Sequence, residues 1–94
     1  MTAYVIAQVS VSDPEGYSEY AGQTIAVAEK FGGNFLVKGG ACEQIEGVGK
    51  DRNVIIEFAD TAAAKAFYYS KEYQAILPIA QRCSVRDLVI VEGV

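Results

Sequence analysis

Histidine is absent from this chain of 94 residues, and only two cysteines are present. Without histidine there is no Ser-His or Cys-His nucleophile pair, and the commonest metal ligand is missing. Cys42 and Cys83 fit no zinc-ligand or CxxC spacing, so we expect two reduced thiols instead of a disulfide. Any acid–base chemistry must then use glutamate, aspartate, lysine, tyrosine or a bound cofactor. We predict neither a metal nor a cofactor.

The chain also lacks a basic stripe and a long apolar run. Its formal net charge is −4 and its eight lysines and arginines are scattered, so nothing is arranged to neutralise the phosphates of a nucleic acid. No apolar stretch approaches the roughly 20 residues of a membrane span, and the first residues alternate instead of forming a signal peptide. We expect a cytoplasmic protein that binds neither nucleic acid nor membrane.

The composition that is present is typical of a folded globule. Apolar residues make up 51% of the chain and charged residues 21%, and the length suits one domain over residues 1–94. Hydrophobic patterning predicts strands at residues 4–11, 34–38, 53–58 and 86–92. Residues 42–46 could continue the second strand beyond a glycine bend.

Helices are predicted between these strands. The first starts from capping signals at residues 12–15 and ends at Gly32. The second opens at Asp60, a favourable N-cap, and runs to about residue 70. A further helical piece covers residues 71–81, and we expect Pro78 to disturb it.

The order β-α-β-β-α-β predicts an α+β, ferredoxin-like fold, in which a four-stranded antiparallel sheet has its helices on one face. Residues two apart on a strand share a face. The nearly apolar set expected under the helices comprises Val5, Ala7, Val9, Phe35, Val37, Val54, Ile56, Phe58, Val89 and Val91. The other set comprises Tyr4, Ile6, Gln8, Leu36, Lys38, Ile55, Glu57, Arg86, Leu88 and Ile90.

The second set is too apolar to face water and too polar for a dry core. A sheet face of this kind should be covered by another sheet, and the simplest cover is a second copy of the chain. We therefore predict a two-fold homodimer with its sheets packed face to face. A cavity is expected in the interface, near Lys38 and Glu57.

Five segments spread along the chain between residues 3 and 93 are AYVIAQVSVSDPEGYSEYA, FGGNFLVKGG, VIIEF, YYSKEYQAI and LVIVEG. In this order they resemble the uncharacterised domain family numbered 1330. The resemblance implies a dimeric α/β barrel, a superfamily that also holds cofactor-free monooxygenases, muconolactone-type isomerases and haem-degrading enzymes. It implies no particular reaction, because the family has none and a fold does not fix a function.

The family's recurring positions fall on Gly32, Gly33, Gly39, Gly40, Glu46, Glu57, Phe58, Tyr69, Ser70, Tyr73 and Gly93. Three positions depart from its pattern. Lys38 stands where an arginine is usual, which replaces a bidentate clamp by a point charge. Tyr68 or Tyr69 occupies the place often taken by tryptophan. Ala80 stands where an arginine often follows the proline, and Arg82 nearby is a possible substitute.

Each candidate site residue has a structural alternative. Glu57 is a candidate general base or polar anchor, because a carboxylate on a half-buried strand face often has raised basicity; it could instead form an ion pair with Lys38 or Arg52. Lys38 could hold a carboxylate or enolate, or pair with Glu46. The catalytic candidates are Glu57 and Lys38, and the ligand-binding candidates are Tyr20, Gly39, Glu46, Arg52, Tyr69, Ser70, Tyr73 and Arg82.

Tyr20, Tyr69 and Tyr73 could line a pocket for an aromatic or apolar ligand, or belong to the core, as aromatic residues at helical spacing often do. Two classes of function fit these residues. The first is a small-molecule enzyme whose interface cavity takes a carbonyl-bearing or phenolic substrate, with Glu57 moving a proton. Cofactor-free oxygenation or isomerisation would fit such a site. The alternative is a non-catalytic ligand-binding or stress-related homodimer.

Overall fold

A computed structural model describes residues 1–94. Its elements, in chain order, are β1 (Ala3–Val11), α1 (Pro14–Lys30), β2 (Asn34–Lys38), β3 (Arg52–Phe58), α2 (Thr61–Tyr68), α3 (Lys71–Cys83) and β4 (Ser84–Glu92). The four strands form one antiparallel sheet in the order β2-β3-β1-β4. The predicted ferredoxin-like α+β fold is therefore confirmed, with the second helical region divided into two helices.

Side-chain caps define where the helices begin. Asp13 caps α1, Asp60 caps α2 and Ser70 caps α3, and each side chain accepts a hydrogen bond from the backbone N–H three residues further on. These N–H groups have no partner inside the helix, so a cap of this type is worth about 1 kcal/mol. At the other end of α1, Gly32 adopts a φ of 81°, a left-handed conformation that favours glycine and ends the helix.

The core lies between the helices and one face of the sheet, which we call the helix face. Its largest fully buried side chains include Phe58, Phe67 and Tyr73, whose rings contact one another in sequence. Burying a side chain of this size contributes about 1.5–3 kcal/mol. The core therefore joins α2 and α3 to the middle of the sheet.

The alternation of β4 differs from the prediction by one residue. Arg86, Leu88 and Ile90 lie opposite buried residues of β1 and therefore on the helix face. Val89 and Val91 are 54% and 45% exposed on the other side, which we call the open face. The prediction for this strand is wrong because both of its alternating sets are largely apolar, and hydrophobicity alone did not distinguish them.

A bulge changes the alternation of β2. Leu36 is an extra residue between Phe35 and Val37, whose partners on β3 are consecutive. Because one extra residue reverses the side on which later residues point, Val37 lies on the open face and Lys38 on the helix face. The predicted positions of Val37 and Lys38 are therefore wrong, although the bounds of the strand are as predicted.

Two local expectations also differ. Residues 42–46 form no strand and belong to an irregular loop over residues 39–51. Helix α3 continues through Pro78 to Cys83 without a break, because Pro78 and Gln74, whose carbonyl loses its donor, are both exposed to water. None of the three helices has both the length and the apolar composition needed to cross a membrane.

The open face carries one apolar row across all four strands. Val37 pairs with Ile55, Ile55 with Ile6, and Ile6 with Val89; we call these four residues the apolar row. A polar row beside it contains Gln8, whose amide donates to Asn53 at 3.3 Å. The open face thus combines an apolar centre with polar surroundings, which is the composition of an interface more than of a water-facing surface.

Candidate functional site

A cavity of about 230 Å³ lies between α1 and the helix face of the sheet. The small side chains of Ala7 and Ala21, together with Gly22, leave room for it. Most of its wall is apolar. The lining residues are Val5, Ala7, Tyr17, Ser18, Tyr20, Ala21, Gly22, Thr24, Ile25, Phe35, Lys38, Arg52, Val54, Ile56, Phe67, Tyr73, Arg86 and Leu88.

The polar part of the wall is cationic. Lys38, Arg52 and Arg86 line the cavity and no carboxylate does, although the chain as a whole has a net charge of −4. Arg52 and Arg86 both lie opposite Val9 on β1, one on each side of it. The two salt bridges of the chain, Lys30–Glu72 and Lys50–Asp87, use none of the three cavity cations. The site therefore has positive charge without a counter-charge of its own.

Arg86 is held by tyrosines. Its Nη2 donates to the hydroxyl of Tyr73 at 3.0 Å, and its Cζ lies 5.1 Å from the ring centre of Tyr20. A guanidinium over an aromatic face is favourable within about 6 Å. The other terminal nitrogen, Nη1, is buried and has no hydrogen-bond partner. Since an unpaired buried donor costs about 1–3 kcal/mol, this nitrogen favours an acceptor from outside the chain, such as a water or a ligand oxygen.

The hydroxyls of Tyr20 and Tyr73 are 2.6 Å apart. The pair holds two protons, and only one can lie between the two oxygens. Arg86 cannot accept the other, because a guanidinium only donates. No other side chain or backbone atom bonds to either hydroxyl, so one O–H of the pair remains a free donor. This tyrosine pair, like the arginine beside it, can therefore donate to an acceptor oxygen of a ligand or a water.

Charge states at this site are well defined at neutral pH. Burial raises the pKa of Tyr73 well above its usual range, with Tyr20 adding to the shift and Arg86 opposing it. Burial also raises the pKa of Tyr17, again against the effect of Arg86. For Arg86, burial works to lower the pKa, but the neighbouring Tyr20 and Tyr73 outweigh it and the pKa is raised. The cavity therefore combines neutral phenols with a permanently charged arginine.

Arg52 is positioned from two sides. Its Cζ lies 5.4 Å from the ring centre of Tyr17, and its Nε is buried without a partner. On the other side is the turn after β2, where Gly39 has a φ of 72°. A Cβ at Gly39 would overlap the guanidinium of Arg52, so only glycine satisfies both the turn and the close approach.

The structure brings together four of the sequence-predicted site residues: Tyr20, Lys38, Arg52 and Tyr73 all line the cavity. Gly39 contacts this group through Arg52. Ser70 serves as the cap of α3 and as a donor to the carbonyl of Phe67 at 2.7 Å, which is a structural role.

The remaining predicted residues lie elsewhere. Glu46 and Arg82 are exposed, and Tyr69 is 71% exposed, in a groove beside β4 that shares only Arg86 and Leu88 with the cavity. Glu57 pairs with Tyr4 on the open face, opposite to Lys38. The expectation that Lys38 and Glu57 face one cavity is therefore wrong.

Sequence reasoning missed Arg86 and Tyr17. Arg86 was assigned to the open face together with Leu88 and Ile90, so the error in the alternation of β4 removed it from the site. Side-chain size in β4 could have indicated the correct face. Leu88 and Ile90, its two largest apolar residues, alternate with smaller valines and lie on the same side of the strand as Arg86. Tyr17 lies on the same face of α1 as Tyr20, and their ring centres are 5.2 Å apart.

No group of three or more cysteine, aspartate or glutamate side chains is placed to hold a metal ion. What the arrangement can do chemically follows from its donors. Lys38 and the two arginines can neutralise an oxyanion, the free tyrosine O–H can donate to it, and the apolar walls can contact an uncharged body.

Comparison with known proteins agrees with the fold. The model of a family described as a Domain of unknown function (DUF1330) matches residues 2–94, which confirms the resemblance found in the sequence. No curated protein matches. A protein of unknown function from Rhodopseudomonas palustris superposes with a TM-score of 0.79 at 18% identity, covering 99% of this chain and 82% of that one.

Two further solved structures are similar. A dimeric ferredoxin-like protein of unknown function from Jannaschia sp. CCS1 has a TM-score of 0.73 at 14% identity. The match covers 99% of this chain and 100% of that one. SnoaB, a cofactor-independent oxygenase from Streptomyces nogalater, has a TM-score of 0.65 at 11% identity. The match covers 99% of this chain and 93% of SnoaB. At such identities the likeness establishes the fold alone.

Proposed function

Since the chain belongs to the DUF1330 family, whose description names no reaction, we propose a function from its cavity: the protein binds a small, largely apolar molecule that carries an anionic oxygen. The observation that carries this proposal is the group of Lys38, Arg52 and Arg86 in a cavity without any carboxylate. Arg52 Nε and Arg86 Nη1 are buried without a hydrogen-bond partner, which is unfavourable, so an anion that accepts from them would stabilise the site.

The lining narrows the class of ligand. Every charged group in the cavity is a donor, and the Tyr20–Tyr73 pair adds one more. A carboxylate, phenolate or enolate oxygen would satisfy these donors, while Phe35, Ile56 and the neighbouring apolar side chains would contact a ring or an aliphatic body. An aromatic or carbonyl-bearing molecule with one acidic group fits both requirements.

The assembly that we propose is a homodimer formed through the open face. The apolar row supports it, since Val89 in that row is 54% exposed in the single chain. Solved structures with this fold, including the protein from Jannaschia sp. CCS1, are described as dimeric. A cytoplasmic location stays a prediction.

Catalysis on the bound anion is the second candidate function, and the donor-only lining favours it. Donors aimed at an oxyanion stabilise the ionised form of an enol or phenol, so the cavity would lower the pKa of such a ligand. Oxygenation of the electron-rich anion is the reaction class suggested by the similarity to SnoaB. It would be detected as oxygen consumption that requires both the protein and an enolisable or phenolic compound.

An isomerisation would need a general base, and the cavity lining contains no carboxylate. Glu57 could act as one only from a site on the open face, where it lies between Asn34 and Tyr4. Its catalytic role therefore stays a prediction that requires a second site, formed in the dimer interface. Binding in the cavity does not depend on it.

The proposed binding is tested by titrating the protein with 2-naphthoate, an apolar monoanion whose fluorescence reports binding. Arg86→Met keeps an unbranched apolar stem and removes the charged guanidinium, and it should weaken affinity roughly 10- to 100-fold, as expected for a lost hydrogen bond to a charged group. Arg82→Met is the matched control, because Arg82 is an exposed arginine on α3 outside the cavity. It should bind as the wild type does.

Two further comparisons complete this experiment. The neutral analogue 2-naphthamide should bind the wild type more weakly than 2-naphthoate, and Arg86→Met should remove most of that difference. Glu57→Gln should leave 2-naphthoate affinity unchanged because Glu57 lies on the opposite face. Equal affinities of wild type and Arg86→Met, or a large loss in Glu57→Gln, would contradict the cavity as the binding site.

A further inference from the structure

We propose that Gly22 forms the entrance to the cavity and limits which molecules can enter it. This inference rests on the proposed function, since it concerns the same cavity. Gly22 lies in the middle of α1, lines the cavity and is exposed at the same time. Its atoms therefore belong to the point where the cavity meets the solvent.

The exposed lining residues mark the position of this entrance. Besides Gly22, only Ser18 and Lys38 are both exposed and part of the lining. Ser18 lies one turn before Gly22 on the same side of α1, and Lys38 ends the edge strand β2. The entrance therefore lies between α1 and β2, with a positive charge on one side that would attract an anion.

No feature of the fold requires glycine at position 22. Gly22 does not have a positive φ, and a Cβ built on it would meet no atom within 4 Å. Glycine in a helix interior is less favourable than alanine, so the stability of the fold would increase with a side chain here. The open space that glycine leaves is explained if a ligand must pass through it.

The location also predicts selectivity. A side chain at position 22 would extend over the gap between α1 and β2, and its size would determine the width of the entrance. Small planar anions should tolerate a methyl group there, whereas wider ones should not. Gly22 is thus a specificity-determining residue that acts on access, and it makes no hydrogen bond to the ligand.

The test uses the stopped-flow association rate of 2-naphthoate with Gly22→Ala, Gly22→Leu and a control, Ala26→Leu. Ala26 is exposed on the next turn of α1 and does not line the cavity, so Ala26→Leu adds the same bulk elsewhere. We expect Gly22→Ala to slow association about 2-fold, Gly22→Leu to slow it at least 10-fold, and Ala26→Leu to leave it unchanged. Gly22→Ala should also raise Tm by about 3–8 °C, as its helix propensity predicts.

Slower association of the ligand together with a higher Tm is the result expected for this role. If packing required the glycine, its replacement would lower the stability of the protein. Association of Gly22→Leu at the wild-type rate, or a Tm that falls in Gly22→Ala, would overturn the entrance role and leave the proposed function standing. A wild-type protein that binds no 2-naphthoate would instead overturn the proposed function, and the entrance role with it.

Discussion

At the scale of single residues, Arg86 is half-buried and interacts with two tyrosines, whereas a charge removed from water is ordinarily paired with an opposite charge. Its Nη2 donates to the Tyr73 hydroxyl at 3.0 Å, and that hydroxyl is hydrogen-bonded to the hydroxyl of Tyr20. This arrangement keeps the guanidinium in place without neutralising it. The charge therefore remains available to an incoming anion, as the proposed binding function requires.

Two tyrosines of the cavity, Tyr17 and Tyr73, predict how stability depends on pH. The folded pKa values of Tyr17 and Tyr73 are raised above the unfolded value of about 10. The stability from their neutral forms is therefore complete below pH ~10, and it is lost as the pH rises above that value, because the unfolded chain releases these protons first. The free energy of unfolding should fall above pH 10.

Tyr73→Phe provides the measurement. At pH 8 we expect this variant to be less stable than wild type by about 1 kcal/mol, the usual worth of a buried hydrogen bond. By pH 11 the gap should narrow, because the variant lacks one of the two groups whose ionisation destabilises the fold. Urea unfolding at both values tests this, and a gap that stays constant or widens would show that Tyr73 does not titrate as described.

At the scale of elements, the end of β2 and the turn after it place two of the three cavity cations. The bulge at Leu36 directs Lys38 to the helix face, and the turn at Gly39 presses against Arg52. Neither effect depends on the core of the protein. Changes in this turn should therefore alter binding with only a limited effect on the fold.

Gly39→Ala tests this role of the turn. Gly39 has a φ of 72°, so an alanine there should lower the free energy of unfolding by about 1–2 kcal/mol. The added Cβ should also displace Arg52 and weaken 2-naphthoate binding several-fold. Gly40→Ala is the matched control, because its φ is not positive and a Cβ there meets no atom within 4 Å. Equal effects of the two substitutions would exclude a positioning role for Gly39.

The elements themselves were predictable from the sequence, and the sides on which their residues lie were less so. Capping residues and β-branched runs located every strand and helix to within about two residues. In β4, however, Leu88 and Ile90 alternate with Val89 and Val91, so both sides are largely apolar and hydrophobicity does not decide between them, whereas the pairing with β1 does. In β2 the bulge at Leu36 has no distinct sequence signal, and it moved Lys38 to the other face.

The candidate site was predictable in part for the same reason. Tyr20 and Tyr73 were identified from helical spacing, and helices keep their periodicity over many residues. Arg86 and the orientation of Lys38 depend on strand alternation, where one residue of error exchanges the faces. Lys38 was therefore expected beside Glu57 in an interface cavity, whereas the structure has Lys38 on the helix face, in a cavity within the single chain.

At the scale of the whole molecule, the two faces of the sheet have different roles. The helix face holds the core and the cavity, and the open face presents the apolar row with Ile6 at its centre. An exposed apolar sheet surface favours association. A homodimer through this face would leave both cavities on the outer sides of the paired sheets.

Ile6→Lys should dissociate this homodimer, because it would bring two like charges into an apolar interface. Sedimentation velocity at micromolar concentration should show a dimer for the wild type and a monomer for the variant, with circular dichroism confirming that both are folded. Gln23→Lys adds the same charge on the exposed side of α1 and should remain dimeric. A wild-type monomer, or a dimeric Ile6→Lys protein, would contradict assembly through the open face.

The central claim is that an anion binds between α1 and the helix face of the sheet, and it is tested most directly by a crystal structure with 6-bromo-2-naphthoate. Anomalous scattering from the bromine locates this ligand without ambiguity. We predict a bromine peak among the apolar residues of the cavity, with the carboxylate within hydrogen-bond distance of Arg86 Nη1 or Arg52 Nε. A peak on the open face near Glu57, or an empty cavity at saturating ligand, would contradict the account.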